Sequence, residues 1–125
     1  MIWTSCYGRW RLFPEGCLRA AVSLKVPKGN AFDVRIAPFA PDQALLDGIR
    51  SGTISAAEYA KRYLSLLESR EGAFIAADRL RQMDESGRSA VLLCWEADGF
   101  CHRHLLAKWL NIGWSLDVRE LEKPK

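Results

Sequence analysis

The stretch Ala90-Val-Leu-Leu-Cys94-Trp-Glu96-Ala-Asp-Gly-Phe-Cys101-His-Arg-His-Leu-Leu-Ala-Lys-Trp-Leu110 decides the fold. Ala90 to Cys94 is a continuous apolar run between Gly87 and Asp98-Gly99, too short for a helix, and it predicts a strand covered on both faces. From Leu105 the apolar residues fall at 105, 106, 109 and 110, the stripe of an amphipathic helix. The polar loop between them then lies at the carboxyl end of a strand and beside a helix amino terminus. Unpaired N–H groups and the positive dipole end there attract anions. Cys94, Glu96, Cys101, His102 and Arg103 are gathered at that one junction.

Leu92-Leu-Cys94-Trp-Glu96, followed by Cys101-His-Arg103 and a leucine-rich helix, resembles the signature of the domain of unknown function 488 (DUF488) family of bacteria and their phages. Gly52-Thr-Ile-Ser-Ala-Ala-Glu-Tyr-Ala-Lys-Arg-Tyr63-Leu64 is similar to that family's second block. The opening strand with Thr4, and Leu24-Lys25-Val26-Pro27, are similar to its first. The resemblance implies a small Rossmann-like fold and a bacterial or phage protein; it assigns no activity.

At 125 residues, 49% hydrophobic and 26% charged, the chain is expected to form one α/β domain over residues 1–125. No apolar run approaches the roughly 20 residues that cross a bilayer, and the start lacks the basic-then-apolar order of a signal peptide, so the expectation is a cytoplasmic protein with no membrane partner. The four cysteines do not form a disulfide framework and are read as thiols. Residues 1–40 hold six basic side chains (Arg9, Arg11, Arg19, Lys25, Lys28, Arg35) against two acids (Glu15, Asp33), while the remainder holds twelve against thirteen. With Trp3, Tyr7, Trp10 and Phe13 among them, this end is a candidate nucleic-acid surface, although a scattered basic surface over core aromatics explains the same pattern.

In chain order, Met1 to Cys6 reads as the first strand, Arg9 to Phe13 as one helical turn, and Leu18 to Val26 as the second strand. Asn30 to Pro41 reads as a loop with a short extended piece, since Pro38 and Pro41 forbid a long element. Asp42 caps a helix to about Ser51 with Gly52 at its end. Ser55-Ala-Ala-Glu58 is a capping box opening a helix to about Ser69, on which Tyr59, Tyr63 and Leu67 face the core with hydroxyls able to reach a crevice. A third helix is expected near Ala73 to Asp84 after a break at Gly72. After the Leu105 helix, Asn111-Ile-Gly113 turns the chain into a last strand over Ser115 to Leu121 and a charged tail.

The pattern predicts a Rossmann-like three-layer α/β domain, a parallel or mixed sheet of four to five strands with helices on both faces. In such sheets ligands bind beyond the carboxyl ends of the strands. Cys94, Glu96, Cys101 and His102 are the candidate catalytic residues: a cysteine at a helix start beside Arg and His has its thiolate favoured, and Glu96 and His102 move protons. Arg103, Thr4, Lys25 and Tyr63 are the candidate ligand-binding residues, with Arg103 offering a fork suited to phosphate. The expected ligand is an anionic small molecule, phosphorylated or nucleotide-like, or a nucleic acid; a thiol- or acid/base-dependent enzyme is one class, and a non-enzymatic binder or inhibitor of a nucleic acid or host protein the other. A metal reading would use Cys94, Cys101 and His102 or His104. The Cys-x6-Cys-His spacing is not the close pair of a structural zinc site, so no cofactor is expected, with zinc as the alternative.

Overall fold

The computed structural model describes residues 1–97 and 99–122. Strand β4 (Ala90–Cys94) is its centre, and every one of its side chains is buried, as a run with no polar member requires. Strand β1 (Ile2–Cys6) lies parallel on one side, from Ile2 against Ala90 to Cys6 against Cys94. Strand β2 (Leu18–Ala21) lies parallel on the other, from Leu18 against Ala90 to Ala21 against Leu93. The two-residue strands β3 (Val34–Arg35) and β5 (Arg119–Glu120) sit at the edges. Among the described residues the sheet is therefore five-stranded and wholly parallel, in the order β3-β2-β4-β1-β5.

Strand alternation sorts these side chains onto two faces. Ile2, Ala20, Ala90 and Leu92 enter a core shared with α1 (Gln43–Ser51), α2 (Ala56–Ser69), α3 (Glu71–Glu85) and α4 (His102–Trp114). Ala21, Val91 and Leu93 face the other way. There the 3-10 helix Tyr7–Leu12 covers them through Tyr7, helped by Phe13, Val26 and Phe32 from loops. Both faces are covered, one by α-helices and the other by a 3-10 helix and loops.

Local chemistry sets the boundaries. Asp42 accepts the Leu45 N–H at 2.8 Å to start α1, and Gly52, at φ 74°, ends it with its N–H on the Gly48 and Ile49 carbonyls. Ser55 accepts the Glu58 N–H at 3.1 Å to start α2, but the Glu58 carboxylate pairs with Arg62 at 2.8 Å, so half of the capping box is built. The break before α3 falls at Arg70, whose backbone is extended and whose guanidinium donates to the carbonyls of Pro38 and Ala40. Gly72 lies inside the first turn of α3 instead. A Cβ there would sit 2.9 Å from Pro38 Cγ, so the glycine serves close packing and not chain reversal.

Two further differences have physical causes. Strand β2 stops before Val26 because the Ser23 hydroxyl donates to the Lys25 carbonyl at 2.7 Å and meets the Tyr7 hydroxyl at 2.6 Å, bending the chain away. Helix α4 runs through Asn111-Ile-Gly113 to Trp114, since Trp109 and Trp114 both pack against Phe74 of α3. Asn111 is not a turn residue; its side chain accepts the Val118 N–H at 2.7 Å and donates to the Val118 carbonyl at 3.1 Å, tying the next segment to the helix. No helix among the described residues is long and apolar enough to cross a membrane.

Ser55→Ala is expected to cost about 1 kcal/mol of stability through loss of the α2 cap. An unchanged denaturation midpoint would show that the Glu58–Arg62 pair suffices to start the helix.

Candidate functional site

Cys94 ends β4, the chain loops out through Glu96, and Cys101 is the last residue before α4. The loop folds back so that the Cys94 and Cys101 sulfurs meet, joined as a disulfide over Cα atoms 7.8 Å apart. The reading of all four cysteines as thiols is corrected accordingly: Cys6 and Cys17 are free, and the two motif cysteines form a pair.

Arg103 holds the loop in that shape. Only 1% exposed, it uses all five N–H groups within the chain. Nε and one Nη grip the Glu120 carboxylate at 3.0 and 2.8 Å, the other Nη donates to Cys94 Sγ at 2.9 Å and to the Glu96 carbonyl, and a last contact reaches the Ala97 carbonyl at 3.3 Å. Glu120 also accepts the Thr4 hydroxyl at 2.7 Å. Burial alone would raise the Glu120 carboxyl, but the hydrogen bonds from Arg103 and Thr4, with the arginine charge, hold it below the ordinary glutamate range. Arg103 and Thr4 were both expected to meet a ligand. In the structure both are buried and hydrogen-bonded to Glu120, a residue that sequence reasoning placed in the last strand without singling it out.

His102 opens α4 with Nε2 2.8 Å from the Val22 carbonyl. A carbonyl only accepts, so Nε2 carries the hydrogen and Nδ1 keeps its lone pair, 3.9 Å from Cys101 Sγ. Burial pushes the ring's pKa down to about 4, against the Val22 carbonyl and Glu96, which favour the charged form; the imidazole is neutral at neutral pH. Tyr63 stands edge-on to this ring at 5.4 Å and donates its hydroxyl to the Phe39 carbonyl at 2.7 Å. Fully buried, Tyr63 packs beneath His102 and is not among the residues that line the neighbouring cavity.

Beyond the carboxyl ends of β2 and β4 a cavity of about 420 Å³ opens. Lys25, Arg50, Tyr59, Trp95 and Phe100 line it, with Glu96, Cys101 and His102 at one end. Four of the expected site residues, Lys25, Glu96, Cys101 and His102, thus share one cavity, and Cys94 touches it through its sulfur partner. Tyr59 is 2% exposed and lines the cavity from α2. Burial, then Glu96 and Asp42, raise its pKa, so it remains a donor. Trp95 is fixed by its indole N–H on the Lys25 carbonyl at 2.7 Å and by Tyr7 edge-on at 5.0 Å. Lys25 and Arg50 have no ionic partner among the described residues. Arg50 and Phe100 were not singled out from the sequence. Phe100, an aromatic in an otherwise polar loop, was the available signal, whereas Arg50 reads as one more solvated charge near a helix end.

The Sγ atoms of Cys94 and Cys101 and a Glu96 carboxylate oxygen lie within 4.8 Å of one another. Across the whole assembly, α4 supplies His102 and Arg103, β4 supplies Cys94, and α1 and α2 supply the apolar wall with Arg50 and Tyr59.

A family model described as "DUF488-N3a: Active DUF488-N3 subclade" matches residues 6–112. No curated protein and no solved structure is significantly similar to the chain.

Arg103→Ala is expected to destabilise the protein by roughly 3 kcal/mol, because it removes the two-pronged partner of Glu120, which keeps the Thr4 hydroxyl and Arg9, and leaves two loop carbonyls without their donor. The same tie sets a pH dependence. The Glu120 carboxyl titrates lower folded than unfolded, so its contribution is complete above the unfolded value of about 4.3 and is lost as pH falls through the lower, folded value. The stability difference between the wild type and Glu120→Gln, followed by denaturant unfolding, should therefore shrink in that acid window. A difference constant from neutral pH into acid would remove the charge from this account.

Proposed function

The chain belongs to the DUF488 family, and from that premise we propose that its cavity binds, and its Cys94–Cys101–His102 end acts on, a phosphorylated, nucleotide-like small molecule. The observation that carries this reading is the cavity's two-part lining. Tyr59, Trp95 and Phe100 offer apolar faces to a flat ring, and Lys25 and Arg50, which have no ionic partner among the described residues, offer charge to an anion. The Tyr59 hydroxyl supplies a directional contact from inside the wall. The reacting groups stand at one end of the same space, where Cys101 and the unprotonated Nδ1 of His102 face each other.

A second reading, non-enzymatic binding of a nucleic acid, is favoured by one observation. Trp10 is 60% exposed and carries the Arg11 guanidinium over its ring at 4.9 Å, the pairing on which single-stranded bases stack.

Titration with nucleoside monophosphates, read by Trp95 fluorescence in the wild type against Trp95→Phe, tests the first reading. Lys25→Ala and Arg50→Ala should each weaken binding about tenfold, or roughly 1.5 kcal/mol, with Trp10→Ala unaffected. Oligonucleotide binding that Trp10→Ala abolishes, with no mononucleotide bound, would replace the first reading by the second. Conversion of a bound nucleotide, followed by chromatography of the products, separates an enzyme from a binder.

A further inference from the structure

We propose that the reduced protein holds a thiophilic divalent cation, zinc in chemical class, between Cys94, Glu96, Cys101 and Nδ1 of His102. The inference does not rest on the nucleotide reading of the cavity.

Three observations carry it. The first is the donor cluster: two sulfurs and a carboxylate oxygen within 4.8 Å of one another, gathered from a strand end, a loop and the residue before a helix. Tetrahedral zinc sets its thiolates about 3.8 Å apart, given zinc–sulfur bonds of about 2.3 Å, so small side-chain rotations bring these donors onto one ion. The Cα separation of 7.8 Å between Cys94 and Cys101 is wider than the roughly 4.4–6.8 Å that most disulfides span, and two thiolates sharing a cation accommodate that wider spacing.

The second observation is the orientation of His102. Its Nε2–H is committed to the Val22 carbonyl at 2.8 Å, which directs the Nδ1 lone pair toward Cys101 Sγ, 3.9 Å away. Metal-bound histidines have this arrangement, the distal N–H on a backbone carbonyl fixing the tautomer that leaves the other nitrogen free to ligate. The third is the charge around the cluster. Two thiolates and a carboxylate on a dication leave one excess negative charge, and the buried Arg103 guanidinium, though paired with Glu120, donates a hydrogen bond to Cys94 Sγ at 2.9 Å that stabilises a thiolate there.

Redox state then decides occupancy. A low-molecular-weight disulfide takes two electrons from the reduced pair, forming the Cys94–Cys101 bond and releasing two small thiols; the two cysteine protons, or the cation they were exchanged for, leave with them. Both sulfur ligands are lost in that step.

The test is cobalt uptake by protein reduced under anaerobic conditions and freed of excess reductant. The expected result is one cobalt per chain, with thiolate-to-cobalt charge-transfer absorption and the intense visible bands of a tetrahedral ion, displaced by zinc. Cys94→Ser and Cys101→Ser should each lose the charge-transfer intensity of one sulfur, and Glu96→Gln and His102→Ala should weaken uptake at least about tenfold, while Cys17→Ser binds as the wild type does. Circular dichroism reports whether each variant folds. Treatment of the wild type with oxidised glutathione, which needs no variant, should abolish uptake as mass spectrometry records the loss of two hydrogens. Reduced wild type that takes up no cobalt, or uptake that survives closure of the disulfide, overturns the proposal, and neither outcome alters the nucleotide titration.

Discussion

A single buried guanidinium organises the functional end of this protein. Arg103 stands in the first turn of α4, where its charge opposes the positive end of the helix dipole, and it would be unfavourable there without an acid beside it. Glu120 supplies that acid from β5, the last strand added to the sheet, and Thr4 of β1 fixes the same carboxylate. One cation therefore joins α4, β1, β5 and the loop after β4. Burial makes Arg103 depend on the pair, because its guanidinium left alone would be an uncompensated charge in an apolar setting, whereas Glu120 also has Arg9 at 3.5 Å.

The shape of the loop after β4 follows from this tie. Without donors reaching into it, the loop just after β4 would have no reason to curl, since loops near a strand end usually run outward into water. Arg103 draws the Glu96 and Ala97 carbonyls inward, and that brings Cys101 back over Cys94. His102 is held independently, by Val22 at the end of β2 and by the Tyr63 ring beneath it. The sulfur pair and the imidazole are thus placed by two separate sets of contacts that converge on one cavity wall. A second layer of buried hydrogen bonds of this kind keeps reactive groups in place to within fractions of an ångström.

Much of this architecture was legible because hydrophobic period and end signals agree. The five-residue apolar run named β4, the Asp42 and Ser55 caps placed α1 and α2, and the cluster at the β4–α4 junction lies beside the cavity beyond the strand ends. Legibility failed where a side chain is used over a long sequence distance. Glu120 falls in the expected last strand, where nothing in the sequence marks it as an ion-pair partner, and only the parallel pairing of β5 with β1, Thr4 against Glu120, brings it to Arg103. Arg103, an apparent ligand arm on a helix start, reverses its role for the same reason. Gly72 reads as a helix breaker until Pro38, far away in sequence, is seen against it.

Sulfur illustrates the same limit and carries it further. Spacing alone offers no rule that pairs Cys94 with Cys101, because their distance along the chain matches neither a redox Cys-x-x-Cys nor a zinc knuckle. The pair exists because an arginine folds the loop, so the meeting of the two sulfurs depends on the Arg103–Glu120 tie as much as on the cysteines. Weakening that tie at acid pH would release the Glu96 and Ala97 carbonyls and with them the loop that keeps the sulfurs together. Stability and chemistry are in this way coupled through one side chain. A substitution at Glu120, remote from the cavity and absent from its lining, reaches the sulfur pair through Arg103 alone.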